Sequence, residues 1–524
     1  MDRNEAYHGV ISIKKAKTVT SWIDEIIVKR SCNIAIVDEN SKITYSQLGR
    51  KIEDYKKIFI HNKISEGQNV VIQMPNVKEY IYAFLALIKL GAVPVIANSL
   101  LGIHEIAGII EETKSVAYLY YEENATVVKR IRDKYKHIKI LSAKDMNKGM
   151  NINENFKLNH KSNVEDVAFL MMSGGTTGKP KIVPITHSMF SWHIYCYCKR
   201  FNITSDDSYL LVSPLTHKMG LYSPGIFNFL CMGGKIILCK YGSCDEWFSL
   251  IESEKVTCTA LVPTLAKVWM EFLKYDKSYD ISSIRSVTIG GAMLKSELIS
   301  ELINTLGCEI QIQYGATEGV SIYSVYTRES KKFLNTYKHP ISGKEEIKII
   351  KENGKDAKEY ECGELIVKGP YTIKNYYNKE MSNSNKFTED GYYRTGDMAL
   401  WSEKYGYEIV GRVVDQINRA GEKINPSEIE SIIGGHPEIN EVVSIGVQDE
   451  LLGERHYIFI KTKNKKLEIR EIRNFLKSKG LAKYKLPDQL VILEQWPLTM
   501  VNKIDKKKLK EIAINKNQRS LLCL

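Results

Sequence analysis

The chain of 524 residues predicts an α/β fold: a large N-terminal domain of parallel-rich sheets covered by helices, then a small α+β domain. Three observations lead there. Short β-rich runs alternate with amphipathic stretches over the first 130 residues. The same grammar returns around "GKIILCK" (234–240), "TALVP" (259–263) and "SVTIGGA" (286–292). Near "EIVGRVVDQINRAGEKINPSEIE" (408–430) the alternation gives way to a compact tail of about 110 residues, a domain by size.

The elements follow in order. "IAIVDE" (34–39) reads as a strand. The helix after it opens on Thr44, with Gln47 completing a capping box, and carries Leu48, Ile52, Tyr55 and Phe59 on one face. "VVIQM" (70–74), the helix Lys78–Leu90 and "VPVIA" form a βαβ unit, which implies parallel strands buried on both faces. The apolar window 80–98 is broken by Lys89, Gly91 and Pro94, so it reads as a helix, a glycine stop and a strand, not a membrane span. In the tail, Asn425-Pro426 opens a helix with proline at its first position. Strands "EVVSIGV" and "YIFIK", the helix "EIREIRNFLKSK" stopped by Gly480, and the strand "LVIL" follow. The boundary falls at 411–415, dividing the chain into 1–413 and 414–524.

At 44% hydrophobic and 26% charged, the composition is that of a soluble globular protein. Ten singly scattered cysteines and an N-terminus without an apolar core point to reduced thiols, no signal peptide and a cytoplasmic location. The net charge of +12 is concentrated at the C-terminal end. From Tyr457 onward there are 17 Lys or Arg against 6 Asp or Glu. Such an excess is either a solvated face or a docking surface for something acidic. Basic and aromatic residues are not interleaved in it, which speaks against a binder of single-stranded nucleic acid.

"SGGTTGKPK" (173–181) cannot pack a core. It is not a Walker A loop, because Gly174 and Gly178 are separated by three residues and Lys179 is followed by Pro180. Consecutive small residues still let backbone N–H groups converge on an anion, with Ser173, Thr176 and Thr177 adding hydroxyls and Lys179 and Lys181 adding charge. By composition alone it is equally a surface loop. "QYGATEG" (313–319) puts Thr317 and Glu318 just past a strand, "EIQIQ", where ligands sit in parallel α/β sheets and where a carboxylate could hold Mg2+ beside phosphates. "YYRTGDMALW" (392–401) offers Asp397 in a turn, able to accept ribose hydroxyls. Arg412 lies at the domain boundary and Lys503 in the small domain. His193, Cys196 and Cys198 suggest a metal cluster, but Cys198 points away from Cys196 on a helix. His436 reads as a capping or surface residue.

In this combination and order, from about residue 20 to 510, the motifs resemble the adenylate-forming superfamily of acyl-CoA synthetases, nonribosomal peptide adenylation domains and luciferases. "THKMGLYSPG", "LVPTLAKVWM", "GPYTIKNYY", "FTEDGYYRTGD", "DQINRAGEKI" and "KYKLPD" carry a closer likeness to stand-alone aryl-acid–AMP ligases of the 2,3-dihydroxybenzoate and salicylate type. The resemblance implies ATP and Mg2+ as cofactors, with no nucleic-acid or membrane partner. The implied products are an acyl adenylate and pyrophosphate. A phosphopantetheine thiol then takes the acyl group, carried by an acyl or aryl carrier protein in trans or by CoA. The chain ends soon after Lys503, so a separate carrier is expected. A binding protein with a dead site is the distant alternative; Glu318, Asp397, Arg412 and Lys503 speak against it.

Residue by residue, the resemblance makes Ser173, Gly174, Gly175, Thr176, Thr177, Gly178, Lys179 and Lys181 the cradle of the β- and γ-phosphates. Tyr314 would stack on adenine, Thr317 touch the α-phosphate, Glu318 hold Mg2+, and Asp397 and Arg412 grip the ribose. Gly290, Gly291 and Ala292 would line the acid and adenine pockets, with His217, Lys218, Ser223 and Gln313 around the acid. Lys503 would reach from a mobile small domain to the α-phosphate and the carboxylate, and the Gly421 region would replace it in the thioester step. Three departures stand out. The hinge position, usually Asp or Lys, is Val414; Asn502 replaces the glycine before the catalytic lysine; and Lys218 stands where the aryl-acid ligases have Asn, which reads a 2-hydroxyl. With Gln313 and Ser321, Lys218 suits an acid bearing an extra acceptor or anion; otherwise its ammonium turns out to solvent.

Overall fold

The computed structural model describes residues 17–39, 41–121, 125–147, 163–173, 181–239, 242–291, 294, 296–330, 336–351, 353–377, 386–412, 417–424, 426–464, 466–497 and 504–521. The chain divides into two compact units. The larger takes in Ile182–Gly411 and most of what precedes it, and the smaller holds Arg412–Leu524 together with Leu100–Ile106.

In the larger unit, Thr44 Oγ1 accepts from Gln47 N (3.2 Å) and Thr44 N donates to Gln47 Oε1 (2.7 Å), closing the capping box of the helix Tyr45–His61. Leu48, Ile52, Tyr55 and Phe59 are fully buried on its inner face. The helix Lys78–Leu90 ends on Gly91 in the left-handed conformation (φ 78°), and the chain enters the strand Val93–Ala97, parallel to Asn69–Gln73. Every residue of both strands is buried, as helices on both faces require.

Among the described residues, this six-stranded sheet runs Lys139–Ser142, Ala117–Tyr120, Asn69–Gln73, Val93–Ala97, Val167–Ser173, Lys181–Thr186. A nine-stranded sheet has a parallel centre in which Ile34–Asp38, Lys235–Leu238, Ser208–Leu211, Cys258–Leu261, Ser286–Gly290 and Glu309–Ala316 lie side by side. Antiparallel strands close its two edges, Ser41–Thr44 at one and Val320–Tyr326 with His339–Pro340 at the other. A four-stranded sheet runs Glu346–Ile350, Gly363–Lys368, Tyr393–Ser402, Gly406–Arg412.

The smaller unit is α+β. Ile439–Asp449 and Gly453–Thr462 pair antiparallel, and Gln489–Ile492 adds parallel to the latter. Helices Pro426–Ile433 and Ile469–Ser478 bury Ile429, Ile433, Ile472 and Leu476 against Ile458 and Ile460 on one face of this sheet. Leu509 and Ala513 of the helix Lys506–Leu521 join Val443, Ile445, Tyr457 and Phe459 in a second cluster on the other face. Gly421 (φ 85°) and Ala420 (φ 52°) form the two-residue turn between Ile417–Arg419 and Glu422–Ile424, a geometry in which both central residues need positive φ.

One local expectation holds with a longer strand, and one is corrected. Gln313, Tyr314, Gly315 and Ala316 belong to the strand Glu309–Ala316, which turns back at once into Val320–Tyr326, so Thr317 to Gly319 are the tip of a hairpin. Asp397 sits inside the ten-residue strand Tyr393–Ser402, not in a turn, because its segment pairs with Gly363–Lys368. The nine described cysteines are all free thiols. Among the described residues no helix is long and apolar enough to cross a membrane, and no His, Cys, Asp and Glu cluster could hold a metal ion. His436 packs edge-on against Phe475, and its Nδ1 accepts from Glu438 N at 3.2 Å.

Candidate active site

The glycine-rich connection is anchored at both ends by strands. Val167–Ser173 leads in and Lys181–Thr186 leads out; Gly174, Gly175, Thr176, Thr177, Gly178 and Lys179 lie outside the described residues. So do Ala292, Val414 and Lys503, and of Arg412 only its place at the end of the strand Gly406–Arg412 is described.

At the last residue before that connection, Ser173 Oγ donates to Glu318 Oε1 at 2.6 Å. Tyr376 donates its hydroxyl to the same oxygen at 3.0 Å. Glu318 is only 6% exposed, and its main chain is fixed as well, its carbonyl accepting from Ile373 N at 2.9 Å. The neighbouring Gly319 carbonyl accepts from Thr372 Oγ1 at 2.8 Å. Gly319 has φ 107°, and a Cβ there would meet the Tyr371 carbonyl at 2.0 Å, so the hairpin tip presses against 371–373 with no room for a side chain. Thr317 is half-buried beside Glu318.

On the strand leading into the tip, Tyr314 donates to Asp397 Oδ2 at 2.6 Å, joining the nine-stranded and four-stranded sheets. Asp397 is buried, and its N–H donates to Thr395 Oγ1 at 3.0 Å. On the adjacent parallel strand, Gly290 leaves space beside Met219 and Gln313: a Cβ would come within 2.9 Å of Met219 Cε and 3.0 Å of the Gln313 carbonyl. Gly291 follows with φ 88°.

Three of the residues expected around the acid, Lys218, Ser223 and Gln313, join a buried polar chain, while His217 lies beside Asn98. Lys218 opens the short helix Lys218–Leu221, preceded by His217, whose Nε2 is 3.5 Å from Asn98 Nδ2. The Lys218 ammonium does not turn out to solvent. It donates to the carbonyls of Ala316 (3.1 Å) and Val320 (2.9 Å) and to Ser321 Oγ (2.9 Å). An ammonium has three N–H donors, and these three bonds use them all, so the extra-acceptor reading of Lys218 loses its donor. Burial pushes the group down to about 7, against the pull of the Glu318 and Glu345 carboxylates. Ser321 Oγ is 3.1 Å from His193 Nε2, which is 3.2 Å from Ser223 Oγ. Ser223 accepts from Gln313 Nε2 (2.7 Å) and is 3.1 Å from the Tyr323 hydroxyl. Gln313 Oε1 is buried with no hydrogen-bond partner among the described residues. Burial holds His193 well below the ordinary histidine range, with the Lys218 charge adding to the effect.

Sequence reasoning missed His193 as a member of this chain, because on a buried helix it carries no local signal beyond its two neighbouring cysteines. Tyr376 and Thr372 were inside the motif "GPYTIKNYY" without a role. A cavity of about 920 Å3 lies behind the Gly369–Asn375 wall, lined by Trp22, Met189, Trp192 and Tyr195; none of the residues expected to carry chemistry lines it.

A strand-end hydroxyl bonded to a hairpin carboxylate, with a Tyr–Asp bond beside it on parallel-rich sheets, fits an adenylate-forming ligase, a class that uses ATP. The chain belongs to the AMP-binding enzyme family, which residues 25–377 match, while residues 428–503 match the AMP-binding enzyme C-terminal domain. It is 34% identical to the 2,3-dihydroxybenzoate-AMP ligase of Bacillus subtilis (strain 168) over 494 residues, 92% of this chain and 91% of that protein. It is 32% identical to the vibriobactin-specific 2,3-dihydroxybenzoate-AMP ligase of Vibrio cholerae serotype O1 over 515 residues, 94% of this chain and 93% of that one. Among solved structures, o-succinylbenzoate CoA synthetase from Bacillus subtilis superposes with a TM-score of 0.82 at 25% identity, covering 94% of this chain and 98% of that one.

Proposed function

We propose that this enzyme activates an aryl carboxylic acid with ATP and passes the acyl group to a phosphopantetheine thiol on a separate carrier protein. The observation that carries the reading is the Ser173–Glu318–Tyr376 cluster at the edge of the glycine-rich connection, with Tyr314, on the strand that leads into the Glu318 turn, bonded to Asp397. Two relatives whose names specify 2,3-dihydroxybenzoate support the aryl acid. Gln313 Oε1, an acceptor without a donor among the described residues, favours an acid with a hydroxyl to give.

In this reading, Ser173, the 174–179 segment and Lys181 hold the β- and γ-phosphates, Tyr314 and Gly291 flank adenine, and Asp397 with Arg412 takes the ribose hydroxyls. Thr317 contacts the α-phosphate. The buried Glu318 carboxylate, a hard oxygen donor held by two hydroxyls, fits Mg2+, which when bound neutralises phosphate charge. Gly290, Ala292, His217, Ser223 and Gln313 enclose the acid. A carboxylate oxygen attacks the α-phosphorus, the bond to the β-phosphate bridging oxygen breaks, and pyrophosphate leaves. Lys503 offsets the repulsion between the two anions. The 414–524 domain then turns on the 1–413 core about Val414, bringing Gly421 to the pantetheine arm; the thiolate attacks the acyl carbonyl and AMP leaves. The lysine-rich C-terminal end gives an acidic carrier a surface to dock on. The free thiols fit a cytoplasmic enzyme. CoA is the second acceptor to weigh, because a CoA synthetase is among the structural neighbours.

The test is pyrophosphate exchange over a panel of aryl and alkyl acids, followed by thioester formation with a carrier protein or CoA at rising salt. Exchange with a hydroxylated aryl acid and salt-sensitive loading of the carrier are expected. Exchange with alkyl acids alone, or loading of CoA in preference to carrier, overturns the respective half of the reading.

A further inference from the structure

Lys218 occupies an acid-pocket position by sequence, yet its ammonium is spent elsewhere. Two of its three bonds go to main-chain carbonyls on either side of the hairpin tip, Ala316 O before it and Val320 O after it. The third goes to Ser321, the next residue of the returning strand. Between those two carbonyls lie Thr317, Glu318 and Gly319 and no other residue. The hairpin is therefore held at two places. Thr372 and Ile373 hold the main chain of its tip, and Lys218 holds its neck. At Gly319 the tip leaves no room for a side chain against the Tyr371 carbonyl.

We propose that Lys218 is a positioning residue for the nucleotide half of the site: it fixes the neck of the Thr317–Gly319 turn, and so the Glu318 carboxylate, instead of reading the acid. The proposal rests on the adenylation reading above. Its chemical reason is that one terminal nitrogen bonded to a carbonyl on each of the two strands resists their splaying more than an amide bound to one. The clasp also ties the short helix Lys218–Leu221, flanked by His217 and Ser223, to the hairpin that bears Glu318, so the acid and nucleotide subsites share one support.

The test compares Lys218→Asn with wild type. Asn is the residue the aryl-acid ligases carry here, so the variant is expected to fold; Lys218→Met, which keeps the stem and removes the donors, is the second variant. Binding of ATP is measured by calorimetry without any acid, with and without Mg2+, and exchange is then measured over the acid panel. The expected result is a loss of about tenfold in Mg2+-dependent ATP affinity in both variants, with affinity for metal-free ATP within about twofold and the order of acids unchanged. Unchanged Mg2+-dependent affinity, or a reordered acid preference, overturns the proposal. Failure of wild type to exchange with any acid would instead count against the adenylation reading.

Discussion

Ser173 and Glu318, separated by 145 positions in sequence, meet at 2.6 Å, with the serine hydroxyl donating to Oε1. The bond joins the end of a strand in the six-stranded sheet to the hairpin at the edge of the nine-stranded one. It therefore sets the spacing between the start of the segment proposed to bind phosphate and the carboxylate proposed for the metal.

The two partners of that bond are expected to differ in weight. Ser173→Ala removes one hydrogen bond and leaves Tyr376 on the same oxygen, so Glu318 stays in place. A net loss of about 1 kcal/mol, or roughly fivefold in KM for Mg·ATP, is expected, with kcat for exchange little changed. Glu318→Gln removes the charge itself and should cut exchange on the order of a hundredfold or more, with no rescue by added Mg2+. Initial-rate exchange assays across ATP and Mg2+ decide it; equal small effects of the two variants would remove Glu318 from the metal site.

His456 gives the smaller unit a pH-dependent stability. It is fully buried in the strand Gly453–Thr462, 2.8 Å from Ser444 Oγ, and burial pushes it down to about 4, the Arg419 charge adding to the effect and Asp488 opposing it. An unfolded histidine titrates near 6.5. Between these values the unfolded chain binds a proton that the folded unit does not, so stability is full above about 6.5 and falls as the pH drops through the window. The loss reaches roughly 2 kcal/mol by pH 5. Hydrogen exchange of the Ile439–Asp449 and Gly453–Thr462 amides at pH 7.5 and 5, corrected for intrinsic rates, measures it. His456→Asn should flatten the dependence, and an unchanged slope in that variant would assign the effect to other groups.

Much of the architecture was legible because its signals are local. The Thr44 box, the Gly91 stop and the alternation of apolar runs each act within a few residues, and the strands and helices they mark lie where they were read. The site was legible only as residue types in order. What the sequence could not carry was direction and pairing at long range. Asp397 looked like a turn residue because Gly396 and Asp397 are turn formers, yet the strand Tyr393–Ser402 runs through them at a register shift, with Arg394 and Met398 on either side paired to Ile366 and Glu364. Lys218 looked like a reader of the substrate because it stands where the aryl-acid ligases have Asn. Its real partners lie roughly a hundred positions away, and no short-range pattern encodes them.

Lys503 is expected to serve only the first half-reaction. Forming the adenylate brings a carboxylate against a triphosphate, and a single cation at the α-phosphate is needed while negative charge gathers at phosphorus. Thioester formation has no such charge to offset, since the adenylate is already made and a thiolate attacks carbon. Lys503→Ala should therefore slow exchange on the order of a hundredfold or more and leave transfer from preformed acyl adenylate to the thiol within a few-fold. Asn502, in place of the glycine before the lysine, should matter far less than Lys503, because Asn visits left-handed backbone more readily than other side chains, so Asn502→Gly should sit close to wild type in both steps. The decisive measurement is the ratio of the two half-reaction rates in Lys503→Ala relative to wild type. A ratio unchanged from wild type, with both steps slowed together, would mean that Lys503 supports the domain as a whole and does not act at the phosphate.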